Sequence, residues 1–556
     1  MKRKMITALT LLLAFSVILS ACGTATEDGK NAAGTAGAAS ASPASTPAEE
    51  QKPAKLRIFY VTQGNTVEDG FDYANNPILN EICKRANVEI TEAVVPAWSD
   101  VSTKYNLMMS SGNICDVVQS GGDKAGASVI NNDGKNGAFM DLTDIINNSE
   151  VIKQRYAPYI NQLKADDGKI YCLRMLPADG DVNNSFFVRW DVLQDLGYTE
   201  LPKTLDEWLD AMRAEKKKYP DSIPYTTMDN LHFSEFVFNC YGITGRGNGW
   251  QQYFGKAIMQ FEHPLYKDAL KVYNTMLKEG LMDPEFVTSK RADFDEKRYN
   301  RKTLVNQQNL AAAMGFCSRY MTYEIFDART IPAPWPVVDD PKVDPNSVYE
   351  GALAVGNTCA AIASTTKEKD GAVRFIEELL SDNTKELAVW GIENVDYKVE
   401  NGKKVAIVDD GTRKGLNKSK GIYNMLFAGN TVTNIEKIFN VGIATIKERD
   451  PNANDKELEE YTKMSWDQYN KILELNAAQP TRAGFTYFIT LEPDTQSRMV
   501  EAQAEALTII IKAMRGDISW DEYDAQAAAF IKKYQFITDE FNAKLPAANE
   551  KAKLAN

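Results

Sequence analysis

The chain has 556 residues, 44% of them hydrophobic and 25% charged, with 76 acidic against 63 basic side chains and a formal net charge of −13. So acidic a surface argues against a nucleic-acid partner, because phosphate binding needs a basic face. The length exceeds what one core organises, so two lobes are expected.

The first element is Lys2-Arg3-Lys4 followed by an apolar run from Ile6 to Leu19. A positive start, a short apolar core and small residues before a cut site make a secretory signal. The run falls short of the roughly 18–20 residues a membrane span needs. Leu19-Ser20-Ala21-Cys22 resembles the bacterial lipobox. That resemblance implies removal of residues 1–21, acylation of Cys22 and a lipid anchor (palmitate) at the extracellular face of the cell membrane. Residues 22–53 are Gly, Ala, Ser, Thr and Pro with scattered charges, and read as a flexible tether.

The body opens with a β-rich run, Leu56–Val61. Asn76-Pro77 starts a helix through Asn87, Val88–Thr91 alternates like a second strand, residues 99–111 read as a helix, and Asp116–Val118 as a third strand. Strand–helix–strand alternation predicts a parallel sheet with covering helices. Ligands of such sheets bind at the carboxyl ends of strands, which points to the loops after Val61, Val95 and Val118. Gln119-Ser120-Gly121-Gly122-Asp123 follows the third strand and offers Asp123 as a contact. The second half is richer in helix: residues 264–279, 367–381, 495–515 and 519–544 carry helical periodicity, with Asp517 and Ser519 as candidate caps.

Candidate chemistry is sparse for catalysis and ample for binding. Only His232 and His263 are present, and no nucleophile motif, metal cluster or phosphate loop occurs. Neither a catalytic site, a metal nor a cofactor is therefore expected. Apart from Cys22, six widely spaced cysteines sit in apolar or small-residue surroundings and read as buried thiols rather than a disulfide framework. Eight tryptophans and 24 tyrosines supply flat apolar faces of the kind that cover sugar rings. Trp208, Trp466 and Trp520 lie in helix patterns and read as packing residues. Trp250 lies in the glycine-rich run Gly245–Trp250, Trp335 between two prolines, and Trp98 after Pro96 at the end of the second strand. These three are candidate ligand contacts.

Several segments, in order, resemble the extracellular solute-binding lipoproteins of ATP-binding-cassette importers, in the large oligosaccharide-binding branch related to alginate-binding proteins. They are Asn106–Asn113 with Cys115–Val118, Asp167–Tyr171, Phe187–Leu193, Pro202–Trp208, Lys278–Phe286, and Trp390–Tyr397 with Asn401-Gly402-Lys403. The resemblance implies an α/β, two-lobed periplasmic-binding-protein-like fold (type II) with a helix-rich second lobe and a hinge between lobes. It assigns 54–178 and 352–392 to the N-terminal lobe, and 179–351 and 393–546 to the C-terminal lobe. It also places Trp390, Glu393, Asp396 and Tyr397 at a cleft wall and Arg189 near a crossing between lobes. The implied partners are an oligosaccharide ligand and the transmembrane subunits of an importer permease; the protein itself is expected to be a monomer. Arg189, Arg246 and Arg319 would suit a uronate-containing sugar, since a guanidinium fork matches a carboxylate. One departure is clear. Alginate-binding relatives carry a calcium loop where Lys216–Ser222 here holds a single carboxylate, Asp221, too few oxygens for a hard cation. Two other readings stand beside this one: a membrane-anchored glycoside hydrolase, which needs two carboxylates about 5–10 Å apart, and a peptide-binding protein of the same fold.

Overall fold

The structure is a computed structural model, and it describes residues 52–61, 71–97, 100–121, 126–177, 185–228, 231–300, 302–348, 355–400, 402–407, 432–478 and 488–553. Cys22 and the tether lie outside these residues, as do Trp98 and Asp123. The strands are β1 (Ala54–Phe59), β2 (Val88–Val94), β3 (Val117–Ser120), β4 (Leu173–Arg174), β5 (Ser185–Arg189), β6 (Trp250–Tyr253), β7 (Lys256–Met259), β8 (Val305–Gln308), β9 (Thr330–Ala333), β10 (Cys359–Ile362), β11 (Tyr397–Glu400) and β12 (Lys403–Ala406).

The first sheet has the order β2-β1-β3-β10-β4. Its opening half matches the expectation: β1 runs parallel to β2 and β3. The other half corrects it, because β10 is antiparallel to both β3 and β4. The sheet is therefore mixed, and β10 comes from far downstream. Alternation along each strand gives two faces. Leu56, Ile58, Val117, Ala360 and Ile362 join one core; Phe59, Val61, Val118, Cys359 and Ala361 join another.

Helices cover both faces. On the first face, α1 (Pro77–Ala86) is bounded by its sequence: Asn76 accepts from the Leu79 amide, Pro77 sits at the first turn, and Asn87 closes the helix at φ 51°. Its Ile78, Leu79 and Ile82 pack with Phe375 and Ile376 of the helix Lys369–Leu379. On the second face, α2 (Val101–Ser111) contributes Val101, Tyr105 and Met108, and α3 (Ala127–Lys135) contributes Ala127 and Ile130.

The second sheet, β8-β5-β9, is antiparallel. Phe186, Val188, Val305 and Ile331 face the largest core, which also holds Trp208, Tyr273 and residues of the last four described helices. Phe187 turns to the opposite face and packs with Tyr299, Phe316 and Tyr320.

The chain itself links the two sheets. Ser120, Cys359 and Arg174 form one row across the first sheet. From it, the chain leaves at Arg174 and returns at Cys359. It enters the second sheet at Ser185, opposite Gln308 and beside the Phe186–Ala333 pair. The two crossing segments pair with one another: Met175 N donates to Thr358 O and Gly356 N to Met175 O, each at 2.7 Å. Gly121 lies so close to this pair that a Cβ there would be 2.7 Å from the Thr358 Cα.

The last helix runs Trp520–Ala552, longer than expected, and starts with a capping box of Ser519 and Glu522. Asp517 is not its cap. Tyr523 through Leu545 join the largest core, whereas Ala548 and Ala552 join the first-sheet core. Gln162 Nε2 donates to the Ala552 carbonyl at 2.8 Å and its Oε1 accepts from Val355 N at 3.0 Å. All six described cysteines are buried free thiols.

His263 makes the acid stability of this fold testable. It is buried, its Nδ1 accepts from Leu265 N at 3.2 Å, and its ring meets Tyr253 edge-on at 4.7 Å. Burial pulls its pKa down to about 4, against an opposing pull from Asp344. The unfolded chain therefore binds a proton between pH about 6.5 and about 4 that the native state does not. Stability rises with pH across that window and is lost on acidification. His263→Asn, which keeps the acceptor, should flatten the dependence of urea-unfolding stability on pH there by up to one proton. An unchanged slope would show His263 titrating normally.

Candidate functional site

The segment Trp390–Tyr397, singled out by the resemblance, folds into a tight corner. The helix Asp382–Trp390 ends at Gly391, which takes φ +78° and leaves no room for a side chain: a Cβ there would lie 2.2 Å from the Asp396 carboxylate. Asp396 accepts from Ile392 N at 2.7 Å, and Asn394 N donates to the Tyr397 carbonyl at 2.6 Å. Asp396 is thus spent on the turn. The turn returns the chain so that the Trp390 and Tyr397 rings meet at 5.8 Å and 63°. Both rings are half-buried, and Glu393 is exposed beside them, bridged to Tyr397 through the backbone. The structure therefore brings Trp390, Tyr397 and Glu393 together.

Two lysines missing from the sequence-based candidates complete the corner. Lys404 stands opposite Val399 in the β11–β12 hairpin, on the face that carries Tyr397. Its Nζ lies 4.8 Å from the Tyr397 ring centre and 5.8 Å from that of Trp390. Burial lowers its pKa, and it pairs with Glu386. Lys437 Nζ lies 5.3 Å from the Trp390 ring and donates to the Val389 carbonyl. The Asn401-Gly402 hairpin signal could have located Lys404. No local signal marks Lys437, which is distant in sequence. Chemically, the corner offers two aromatic faces and two ammonium groups, a combination that suits a ring bearing hydroxyls and an acidic substituent.

The end row of the first sheet offers a second set of groups. Gln119 and Ser120 are fully buried at the end of β3, and the Gln119 amide and the Ser120 hydroxyl have no hydrogen-bond partner among the described residues. Leaving such groups unpaired costs about 1–3 kcal/mol each. In the second sheet, Gln308 opposite Ser185 also carries a buried carbonyl oxygen without a partner among the described residues.

The other sequence candidates fall elsewhere. Trp250 is no free loop residue: it opens β6, its Nε1 donates to Thr538 Oγ1 at 2.8 Å, and its ring lies 6.0 Å from Phe541. Gly245 and Gly247, both at positive φ, shape the turn that delivers it to the last helix. Trp335 is buried in the largest core against Phe186 (4.9 Å) and Phe236 (6.4 Å). Arg189 is 1% exposed, bonded to Asp191 at 2.8 Å through Nε, with Tyr320 4.6 Å from its guanidinium. Burial pulls its pKa down and Asp191 more than reverses this, so it stays raised. Its charge is committed to the protein. Arg246 lies against His232, and Arg319 packs on Phe316 at 4.9 Å.

These features can be set beside known proteins. Residues 65–386, more than half of the chain, match the model of the bacterial extracellular solute-binding proteins, and the chain belongs to that family. Lipoprotein LipO of Bacillus subtilis (strain 168) is 22% identical over 344 residues. That match covers 59% of this chain and 65% of LipO, so the chain spans just under two thirds of that relative. Among solved structures, alginate-binding protein AlgQ2 without calcium ion has a TM-score of 0.60 at 19% identity, covering 89% of this chain and 98% of its own. An HMO-binding, ABC-transporter-associated solute-binding protein from Bifidobacterium longum infantis ATCC 15697 has a TM-score of 0.62 at 16% identity, covering 90% and 100%. The N-glycan transport solute-binding protein NgtS from Streptococcus pneumoniae has a TM-score of 0.58 at 17% identity, covering 89% and 99%. At these identities the likeness is one of fold, the two-lobed solute-binding fold.

The reassignment of Trp250 has a measurable consequence. Trp250→Ala should cost about 3–5 kcal/mol of stability, the range for large aromatics removed from a core, and leave the environment of Trp390 unchanged. Urea unfolding with near-UV circular dichroism reads both. A loss below about 1 kcal/mol would return Trp250 to the list of surface contacts.

Proposed function

We propose that this chain is the substrate-binding lipoprotein of an ATP-binding-cassette importer. It captures an oligosaccharide at the extracellular face of the membrane and delivers it to the permease. The observation that carries the reading is the family match over residues 65–386. It is supported by a fold shared along nearly the whole body with proteins named for alginate, HMO and N-glycan. The lobes assigned from sequence meet at the paired crossing segments, which form the hinge. The ligand lies where the crossings leave the sheets, with Gln119 and Ser120 offering polar contacts from the first sheet. Trp390 and Tyr397 form the aromatic wall, and Lys404 and Lys437 favour a sugar with an acidic group, a uronate. A ring that stacks on Trp390 competes with the ammonium groups already there, and a carboxylate on that ring compensates by pairing with them.

Purified protein screened against neutral and uronate-containing oligosaccharides should gain stability with the correct ligand. At 100 times the dissociation constant, the gain is about 2.7 kcal/mol, with a change in tryptophan emission. Trp390→Ala should weaken binding about 30-fold with the fold intact. Stabilisation by peptides and by no saccharide would replace the sugar reading with the peptide one, and saccharide cleavage beyond stoichiometry would make the protein an enzyme.

The anchor is proposed on Cys22, in line with a relative named as a lipoprotein. Cys22→Ala should abolish acylation, so that fractionation finds the protein released or held by an uncut signal. Unaltered acylation of the variant would end that part of the reading.

A further inference from the structure

A second cavity, apart from the Trp390 corner, lies between α3 and the last turn of the Trp520–Ala552 helix. Ser128, Asn131 and Asn132 line it from α3, and Thr490 and Phe488 from the segment before the helix Pro493–Arg515. Three cations surround it: Lys135, Arg174 and Lys551. Arg174 is buried, holds the Gly356 carbonyl through Nε at 2.8 Å, and keeps its guanidinium 5.2 Å from the Phe488 ring. Lys551 Nζ lies 5.9 Å from the same ring. It is half-buried and has no acceptor or ion-pair partner among the described residues. The one carboxylate of the lining, Asp166, is 3.8 Å from Lys135 and 69% exposed. The described lining of the cavity thus carries three cations and one carboxylate. Burial lowers the Lys551 pKa, and Arg174 and Lys135 push the same way against Asp166, as expected for an ammonium short of anions.

Size decides what fits. The cavity measures about 20 Å³, room for about one small polar group and too little for a sugar ring. The lining offers what such a group needs: ammonium and guanidinium donors, side-chain amides and a hydroxyl, with the ring of Phe488 closing one side.

We infer that this cavity is a binding site for a compact oxyanion, a phosphate, sulfate or carboxylate group, which bridges Lys551 to Arg174 and Lys135. Bound there, the anion ties the end of the last helix, whose earlier turns belong to the largest core, to the edge strand of the first sheet. The site is independent of sugar capture at Trp390. Its occupant is either a free inorganic anion or an acidic group carried on a saccharide, and these two sources are separable.

The test is calorimetric titration of the whole protein with inorganic phosphate, ionic strength held constant with sodium chloride, and in parallel with glucuronate. Saturable one-site binding of phosphate is expected, weakened about tenfold or more in Lys551→Met, the loss of one charge-assisted contact, and retained in Lys551→Arg. Saturation by glucuronate but not by phosphate, with the same dependence on Lys551, assigns the site to the acidic group of a saccharide. Absence of saturable binding of either anion to the wild-type protein overturns the proposal, whatever the variants do. So does equal binding by a folded Lys551→Met. Trp390→Ala should leave the phosphate isotherm unchanged, which separates failure of this site from failure of the sugar reading.

Discussion

β10 lies between β3 and β4, and the rest of the molecule depends on that placement. The first sheet acquires this strand only after the chain has left at Arg174, built the second sheet and come back at Cys359. The return is held by backbone bonds between Met175 and the 356–358 segment, and by the close approach of Gly121 to Thr358. Closing so long an excursion is affordable because loop-closure entropy grows only logarithmically with length. The cost falls on kinetics, since non-local pairing must be found before it is rewarded. The same geometry sets the ends of both sheets at the two ends of the crossings, where buried Gln119 and Ser120 sit.

A second tie joins the two cores. The last helix packs Tyr523 through Leu545 on one core and Ala548 and Ala552 on the other, with Pro546 between the two contacts. Asn542 is bonded to the backbone of Ala257 in β7, from Nδ2 at 2.9 Å and to Oδ1 at 3.0 Å. Ala552 is held by Gln162. Proline lacks the amide that would bond back one turn, and the backbone leaves helical geometry earlier, at Tyr534 (φ −112°, ψ 15°). Among the described residues, the crossing pair and this helix both join the two cores.

Charge is used in two different ways. Inside the second sheet it is paired and spent: Arg189 on Asp191, and Arg329 on Asp450 (2.5 Å) and Glu457 (2.8 Å), which fastens the start of β9 to two helices. Removing one partner of such a pair strands the other in a low-dielectric interior. At the Trp390 corner, by contrast, Lys404 and Lys437 stand over the Trp390 ring, and beside α3 Lys551 stands over Phe488.

By itself the sequence determined the local elements of the first sheet, because apolar spacing, Asn76-Pro77 and the αL-capable Asn87 act within a few residues. It also determined the family, since the order of many weak segments survives where single motifs do not, and it brought Trp390, Glu393 and Tyr397 together, since one turn joins them. Only the tertiary structure decided that β10 enters the sheet antiparallel, that Trp250 and Trp335 are packing residues, and that Arg189 is buried against Tyr320. It alone supplied Lys437 to Trp390 and Lys551 to Arg174. These outcomes rest on contacts between residues tens to hundreds of positions apart. Composition and periodicity report which side chains prefer burial or water, but which partner each one meets is set only when the two sheets and the last helix have packed.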